Sequence, residues 1–233
     1  MTVRRLSAAI TLATIALPGA RAAAQIGHPP AQSPFVDLDA RQTLTFEGGY
    51  FFAAKDPAGV SPQSGPLAGV RYDVYLGGPA WFTGRVESAL VDRTVIDPAR
   101  PLSSRILGVE RRPLTMVDAG FTFALTGQKS WHGVVPLLHT GAGFVTNGKG
   151  ADPGGLTLGT RFALAYGAGL RYVPASRLSL RADVGSHLYQ LRYPDRYFEA
   201  ALDSTSVLPS GGSKSKWLNN SAVTIGVSYQ IFR

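Results

Sequence analysis

The chain closes on SAVTIGVSYQIFR, residues 221–233. Taken in twos, this stretch sets Val223, Ile225, Val227, Tyr229 and Ile231 on one side and Thr224, Gly226, Ser228 and Gln230 on the other. A period of two marks a strand whose faces meet different surroundings. Which face meets the core decides the architecture.

The same alternation recurs upstream in segments of about ten residues, separated by Gly, Pro, Asp and Asn clusters. Eight such segments are expected, over residues 42–53, 67–77, 80–95, 114–126, 131–146, 157–173, 178–191 and 218–232. In the second, Ala68, Val70, Tyr72, Val74 and Leu76 oppose Gly69, Arg71, Asp73 and Tyr75. In the third, Phe82, Val86 and Leu90 oppose Thr83, Arg85 and Glu87, and in the fourth Val117, Ala119, Phe121 and Phe123 oppose Asp118, Gly120 and Thr122. The sixth and seventh repeat the pattern, with Arg171, Arg181 and Asp183 on the face that also carries Gly167, Gly169 and Gly185.

Mid-strand charges therefore fall on one face and nearly balance: Arg71, Arg85, Arg161, Arg171 and Arg181 against Glu47, Asp73, Glu87, Asp118 and Asp183. A sandwich with wet outer faces alternates in the same way. Balanced charge mixed with Gly and Ala fits a narrow interior better, with the apolar face turned out to lipid. Connections point the same way. Short turns at Gly77, Gly127 and Pro174 alternate with the long stretches AKDPAGVSPQSG, IDPARPLSSRILGVERRP, NGKGADPGG and residues 193–217. An up-and-down barrel that crosses the outer membrane has short turns on the periplasmic side and long loops outside. The expected fold is all-β, an eight-stranded antiparallel transmembrane barrel. Trp81, Trp131 and Tyr172 at one end and Trp217 at the other read as interface aromatics.

The first residues are read separately. MTVRRLSAAITLATIALPGARAAAQ pairs Arg4 and Arg5 with an apolar run ending at Leu17 and the small residues Ala22, Ala23 and Ala24. This is the pattern of a secretory signal peptide, expected to occupy 1–24. Residues 25–41 then form an N-terminal periplasmic segment and 42–233 the barrel. No later run is long and apolar enough for a membrane helix. The chain has no cysteine, so disulfides and thiol chemistry are excluded. Its net charge of +8 falls to about +5 once Arg4, Arg5 and Arg21 leave, an excess that suits anionic lipid headgroups better than nucleic acid.

The stretch TIGVSYQI resembles the C-terminal recognition signal of bacterial outer-membrane barrels, with Thr224, Gly226, Tyr229 and Ile231 filling its places and Phe232 and Arg233 overhanging. The mature chain as a whole resembles the small eight-stranded bacterial outer-membrane barrels that include the OmpA membrane domain and the OmpX type. That resemblance implies insertion by the barrel-assembly machinery, contact with outer-membrane lipids and lipopolysaccharide, and a chain that ends at the barrel without a peptidoglycan-binding domain.

Chemistry is sparse. His139 and His187 share the inward parity, but no His-x-x-x-His spacing offers a metal site, and no cofactor is called for. Some barrels of this size modify lipid A with a His, Ser and carboxylate facing the leaflet, whereas His187 points inward and lacks the His-x-Ser arrangement. No catalytic residue is assigned. The interior network of Glu47, Arg71, Asp73, Arg85, Glu87, Asp118, His139, Arg161, Arg171, Arg181 and Asp183 is expected to plug the lumen, with Arg71 and Asp73 beside Arg85 and Glu87 across their short turn. Basic loop residues Arg100, Arg105, Arg111, Arg112, Arg192, Arg196, Lys214 and Lys216 are candidates for phosphate groups or an external partner, or are simply solvated. A non-enzymatic envelope or surface-interaction barrel is the leading expectation. A narrow ion or solute conduit and a lipid A-modifying enzyme are the alternatives, and the external ligand is not readable.

Overall fold

A computed structural model of the chain describes residues 33–148, 150–174 and 177–232. The expected signal segment, the first part of the 25–41 segment and Arg233 lie outside the described residues.

Ten strands follow in order: β1 (Phe35–Asp37), β2 (Gln42–Phe52), β3 (Gly65–Gly77), β4 (Ala80–Ile96), β5 (Ile106–Ala124), β6 (Lys129–Trp131), β7 (Val134–Thr146), β8 (Thr160–Tyr172), β9 (Leu178–Arg192) and β10 (Ser215–Phe232). Eight of them close a ring, β2-β3-β4-β5-β7-β8-β9-β10, which returns to β2. Every neighbour in the ring is antiparallel. Closure satisfies the backbone hydrogen-bonding groups without a free edge, as a spanning sheet requires.

Parity then sets the faces. Phe46, Val70, Phe82, Val86, Phe121, Phe144, Leu170, Val184 and Ile225 are exposed on the outside, while Glu47, Arg71, Arg85, Arg181 and Asp183 are buried inside. Such a belt of apolar side chains far exceeds the exposed patch a water-soluble surface carries. Polar and charged groups pack the interior, the inverse of a soluble barrel and of a sandwich with wet outer faces.

Several expected boundaries are corrected: β8 starts at Thr160 rather than 157, β10 at Ser215 rather than 218 and β3 at Gly65 rather than 67. Strand β5 starts at Ile106, eight residues ahead of the expected 114, so β4 and β5 continue as a two-stranded ribbon above the ring. Strand β7 joins β5 only from Thr115 onward, which leaves Pro113 with β4 as its one partner strand, a position where its missing N–H breaks no ladder. Trp131 belongs to the short β6, not to β7, and the two meet through His132-Gly133, both at positive φ (49° and 80°), the geometry of a tight hairpin turn. In β10 a bulge between Gln230 and Phe232 pairs Phe232 with Gln42. Phe232 is thus part of the ladder rather than an overhang, and the extra residue, Ile231, is half-buried while Phe232 takes the exposed side.

Both ends of the barrel are covered. At the short-turn end, β1 pairs with β6 beside β7, and the chain then runs to β2, which stands opposite β7 in the ring. On the way Leu38 N–H donates to Gln128 O (2.8 Å), Arg41 N–H to Phe232 O (3.0 Å), and Tyr75 N–H to Arg41 O (2.8 Å). Residues 34–41 therefore span that mouth as a strap. At the long-loop end, Val60, Leu156, Leu158, Tyr197 and Leu208 from the loops pack on Phe51, Leu67, Val91, Leu114, Met116, Val145, Tyr189 and Leu218 from the strands. In the last loop Asp195–Phe198 forms a 3-10 turn that buries Tyr197 in this apolar plug.

Candidate functional site in the barrel lumen

Between strap and apolar plug lies a charged layer built from inward positions of seven strands, β2 to β5 and β7 to β9. In one cluster Asp73 on β3 accepts hydrogen bonds from Thr83 (2.6 Å), Arg171 (3.2 Å) and Arg181 (3.3 Å). Arg181 also grips Asp183, two positions along β9 on the same face, through Nε (2.7 Å) and NH2 (3.1 Å), and Arg71 reaches Asp183 at 3.3 Å. His139 Nδ1 sits 3.8 Å from the same carboxylate. A second cluster centres on Arg85, which meets Asp118 at 3.2 Å, Glu87 at 3.6 Å and His187 Nε2 at 3.2 Å.

Arginine and carboxylate groups of Arg71, Asp73, Arg171, Arg181 and Asp183 satisfy one another mostly from different strands, so these charges are compensated across the lumen. Room for the side chains comes from the facing glycines. A Cβ at Gly169 would stand 2.3 Å from Asp183 Oδ1, and one at Gly167 would stand 2.5 Å from the His139 ring. The Gly-rich face of β8 is the cradle for this network.

The expected hairpin pairing is corrected by the register. Arg71 lies directly opposite Arg85, and Asp73 opposite Thr83, so like charges face each other and must find partners elsewhere. They do so on β5 and β9. Arg161 is not brought to the network: it sits near the long-loop end and donates to Thr157 O (3.3 Å). Glu47 is buried in the layer, with Oε1 lacking a hydrogen-bond partner. His187, inward by parity but left out of the expected network, is a member of it.

Trp81 also departs from expectation. It is 2 % exposed, packs against Tyr75 with ring centroids 5.3 Å apart, and carries the Arg171 guanidinium 5.4 Å from its ring centroid. Its odd number in β4 shares the parity of Thr83 and Arg85, a signal that outweighs the preference of Trp for interfaces. Trp131, Tyr172 and Trp217 are exposed.

The basic loop residues are mostly engaged. Arg111 pairs with Asp92 (2.7 Å), Arg112 with Glu110, Arg100 with Asp97 (3.2 Å) and Lys214 with Asp195 (2.6 Å). Arg105 is buried and bonds the Thr205 hydroxyl (2.6 Å) and carbonyl (3.1 Å), which ties the β4–β5 loop to the last loop. Of the C-terminal residues, Thr224 faces the lumen and Tyr229 faces out. Gly226 leaves space against β2, where a Cβ would meet Phe46 O at 2.8 Å and Thr45 Cγ2 at 2.9 Å.

One group of lumen side chains has the donor set of a metal site. Single ligand atoms of Glu87, Asp118 and His187 all lie within 4.8 Å of one another.

A closed ring with lipid-type residues outside and ion pairs inside defines a small transmembrane β-barrel. The chain belongs to the outer membrane protein beta-barrel domain family, whose model matches residues 6–230, and its place is the outer membrane. Among solved structures it is similar to OprG of Pseudomonas aeruginosa, at 12% identity and a TM-score of 0.50 over 84% of this chain and 99% of that one. Neisserial surface protein A matches at 13% identity and a TM-score of 0.47, over 85% and 98% of the two chains. Ail of Yersinia pestis matches at 13% and 0.39, over 82% and 100%. At these identities the likeness to OprG speaks for the fold alone. No curated protein matches the chain. With the family given, the short turns and the strap lie on the periplasmic side and the apolar plug on the outside.

Proposed function

We propose that this protein is a non-enzymatic outer-membrane barrel that is closed to solutes and acts in envelope structure or surface interaction through its outer loops. The observation that carries this reading is the cross-lumen network, in which Asp73 binds Arg171 and Arg181 while Asp183 binds Arg181 and Arg71. Buried charges so paired are expensive to separate, and a solute path would have to separate them. The strap below and the apolar plug above add two further barriers.

The outer surface meets lipopolysaccharide, and the loops bound together by Arg105 form one compact crown rather than separate flexible arms. Thr224, Gly226, Tyr229 and Ile231 serve as the signal to the barrel-assembly machinery, and residues 1–24 as the export signal. A lipid A-modifying activity finds no support in His187, which is buried among carboxylates on the inside of the wall.

Conductance in planar lipid bilayers tests the reading. The protein, refolded and inserted, is expected to give no steady current, whereas a stable single-channel step would replace the closed barrel with the conduit alternative. Release of acyl chains from lipid A on incubation would instead establish an enzyme.

A further inference from the structure

We propose that Glu87, Asp118 and His187 bind one divalent first-row transition-metal ion inside the lumen. The site lies on three strands, β4, β5 and β9. His187 Nε2 stands 3.4 Å from Asp118 Oδ2 and 3.5 Å from Glu87 Oε2. Both separations from the imidazole are close to the edge of a tetrahedron with metal–ligand bonds near 2.0–2.1 Å, about 3.3–3.4 Å, and all three ligand atoms lie within 4.8 Å of one another. One imidazole and two carboxylates form a donor set that zinc, cobalt and iron(II) accept, with the remaining position open to water.

A further observation points to a cation. Glu87 has a side chain 1% exposed, yet neither of its carboxylate oxygens makes a hydrogen bond. An ionised carboxylate so buried is costly without strong partners, and its nearest are Arg85 Nε at 3.6 Å and His187 at 3.5 Å. A bound dication beside Glu87 supplies a partner at the place where hydrogen bonding is poorest.

Arg85 is the internal competitor, because it holds Asp118 and His187 at 3.2 Å each. It tunes the affinity downward: the ion enters by displacing the guanidinium from these two groups.

The test is a titration with Co2+ of the full chain refolded in detergent micelles, read by the visible absorption of tetrahedral cobalt and by displacement with Zn2+. Folding of every variant is checked by the heat-dependent shift in gel mobility. Expected are one Co2+ per chain in the wild type, loss of the signal in His187→Ala, retention in His187→Cys, which keeps a ligand, and no change in His132→Ala on the surface turn. Arg85→Gln is expected to tighten binding tenfold or more. The proposal is overturned if the wild type binds no metal, including the case in which binding shows only in Arg85→Gln, or if a folded His187→Ala binds as well as the wild type. Retention of the signal in folded His187→Cys with its loss in folded His187→Ala confirms the imidazole position as a ligand.

Discussion

Asp73 on β3 accepts a hydrogen bond from Arg181 on β9 at 3.3 Å, although β2 and β10 stand between those strands in the ring. The contact passes through the lumen, so it reports on closure in a way that no ladder contact between neighbouring strands does. Removal of Asp73 leaves Arg171 without its carboxylate partner and Arg181 with Asp183 alone. Asp73→Ala is therefore expected to destabilise the barrel by about 3 kcal/mol, the scale for a buried charge deprived of its partner. Urea unfolding in detergent micelles measures it, and a loss below about 1 kcal/mol would mean that water already reaches the layer.

Gly169 tests how tightly the network is cradled. A methyl group there would stand 2.3 Å from Asp183 Oδ1 and 2.7 Å from Ala182 O. Gly169→Ala should cost about 1–3 kcal/mol by pushing Asp183 from Arg181. Gly84→Ala is the control, since its Cβ meets nothing within 4 Å. Equal stability of the two variants would show that the lumen yields without strain.

The faces of the strands were legible because parity carries through a ladder: Val70 out and Arg71 in follow from one count. Trp81 was legible by the same count and was misread through residue type. Partners inside the lumen were not legible. Arg71 with Asp183 and Arg85 with His187 meet because barrel closure and shear bring distant strands level, and no spacing in the chain encodes that. Arg111 and Arg112 read as loop because Pro113 interrupts the pattern, yet a ribbon with one partner strand tolerates proline. The inward role of Val60, Leu156 and Leu208 was hidden for a similar reason, as single apolar residues in Gly- and Pro-rich stretches have no period to reveal a core face.

The crown is expected to respond to acid through Asp203. Its carboxylate accepts from the Leu102 amide (2.7 Å) and the Thr205 hydroxyl (2.6 Å), and these bonds, the Thr205 hydroxyl foremost, hold its pKa down to about 2. A carboxyl with a depressed folded pKa supports the fold fully above its unfolded value of about 3.9 and loses that support as pH falls through the folded value. The Leu102–Asp203 link between the β4–β5 loop and the last loop should thus persist at pH 4 and break between about pH 3 and pH 1, while the Arg105–Thr205 bonds remain. The Leu102 amide resonance, followed by NMR against pH, should titrate with a midpoint near 2. Asp203→Asn should remove the transition, and a midpoint near 4 would show that the carboxylate is not held.

The three tryptophans separate the two environments of the wall. Trp81 is buried against Tyr75 and Arg171, whereas Trp131 and Trp217 are each 53% exposed on the outside. Variants that keep one tryptophan and replace the other two by Phe can be refolded into bilayers containing lipids brominated along the acyl chain. Quenching needs contact between ring and bromine, so Trp217 and Trp131 should lose much of their emission, to a degree set by their depth. Trp81 should lose little at any bromine position, because the wall of β4 and its neighbours stands between ring and lipid. Trp81→Ala should in addition cost about 3–5 kcal/mol, through the cavity left beneath the charged layer and the lost face for Arg171. Strong quenching of Trp81 by any of the lipids would place it on the outer surface and remove the aromatic floor from the closed lumen.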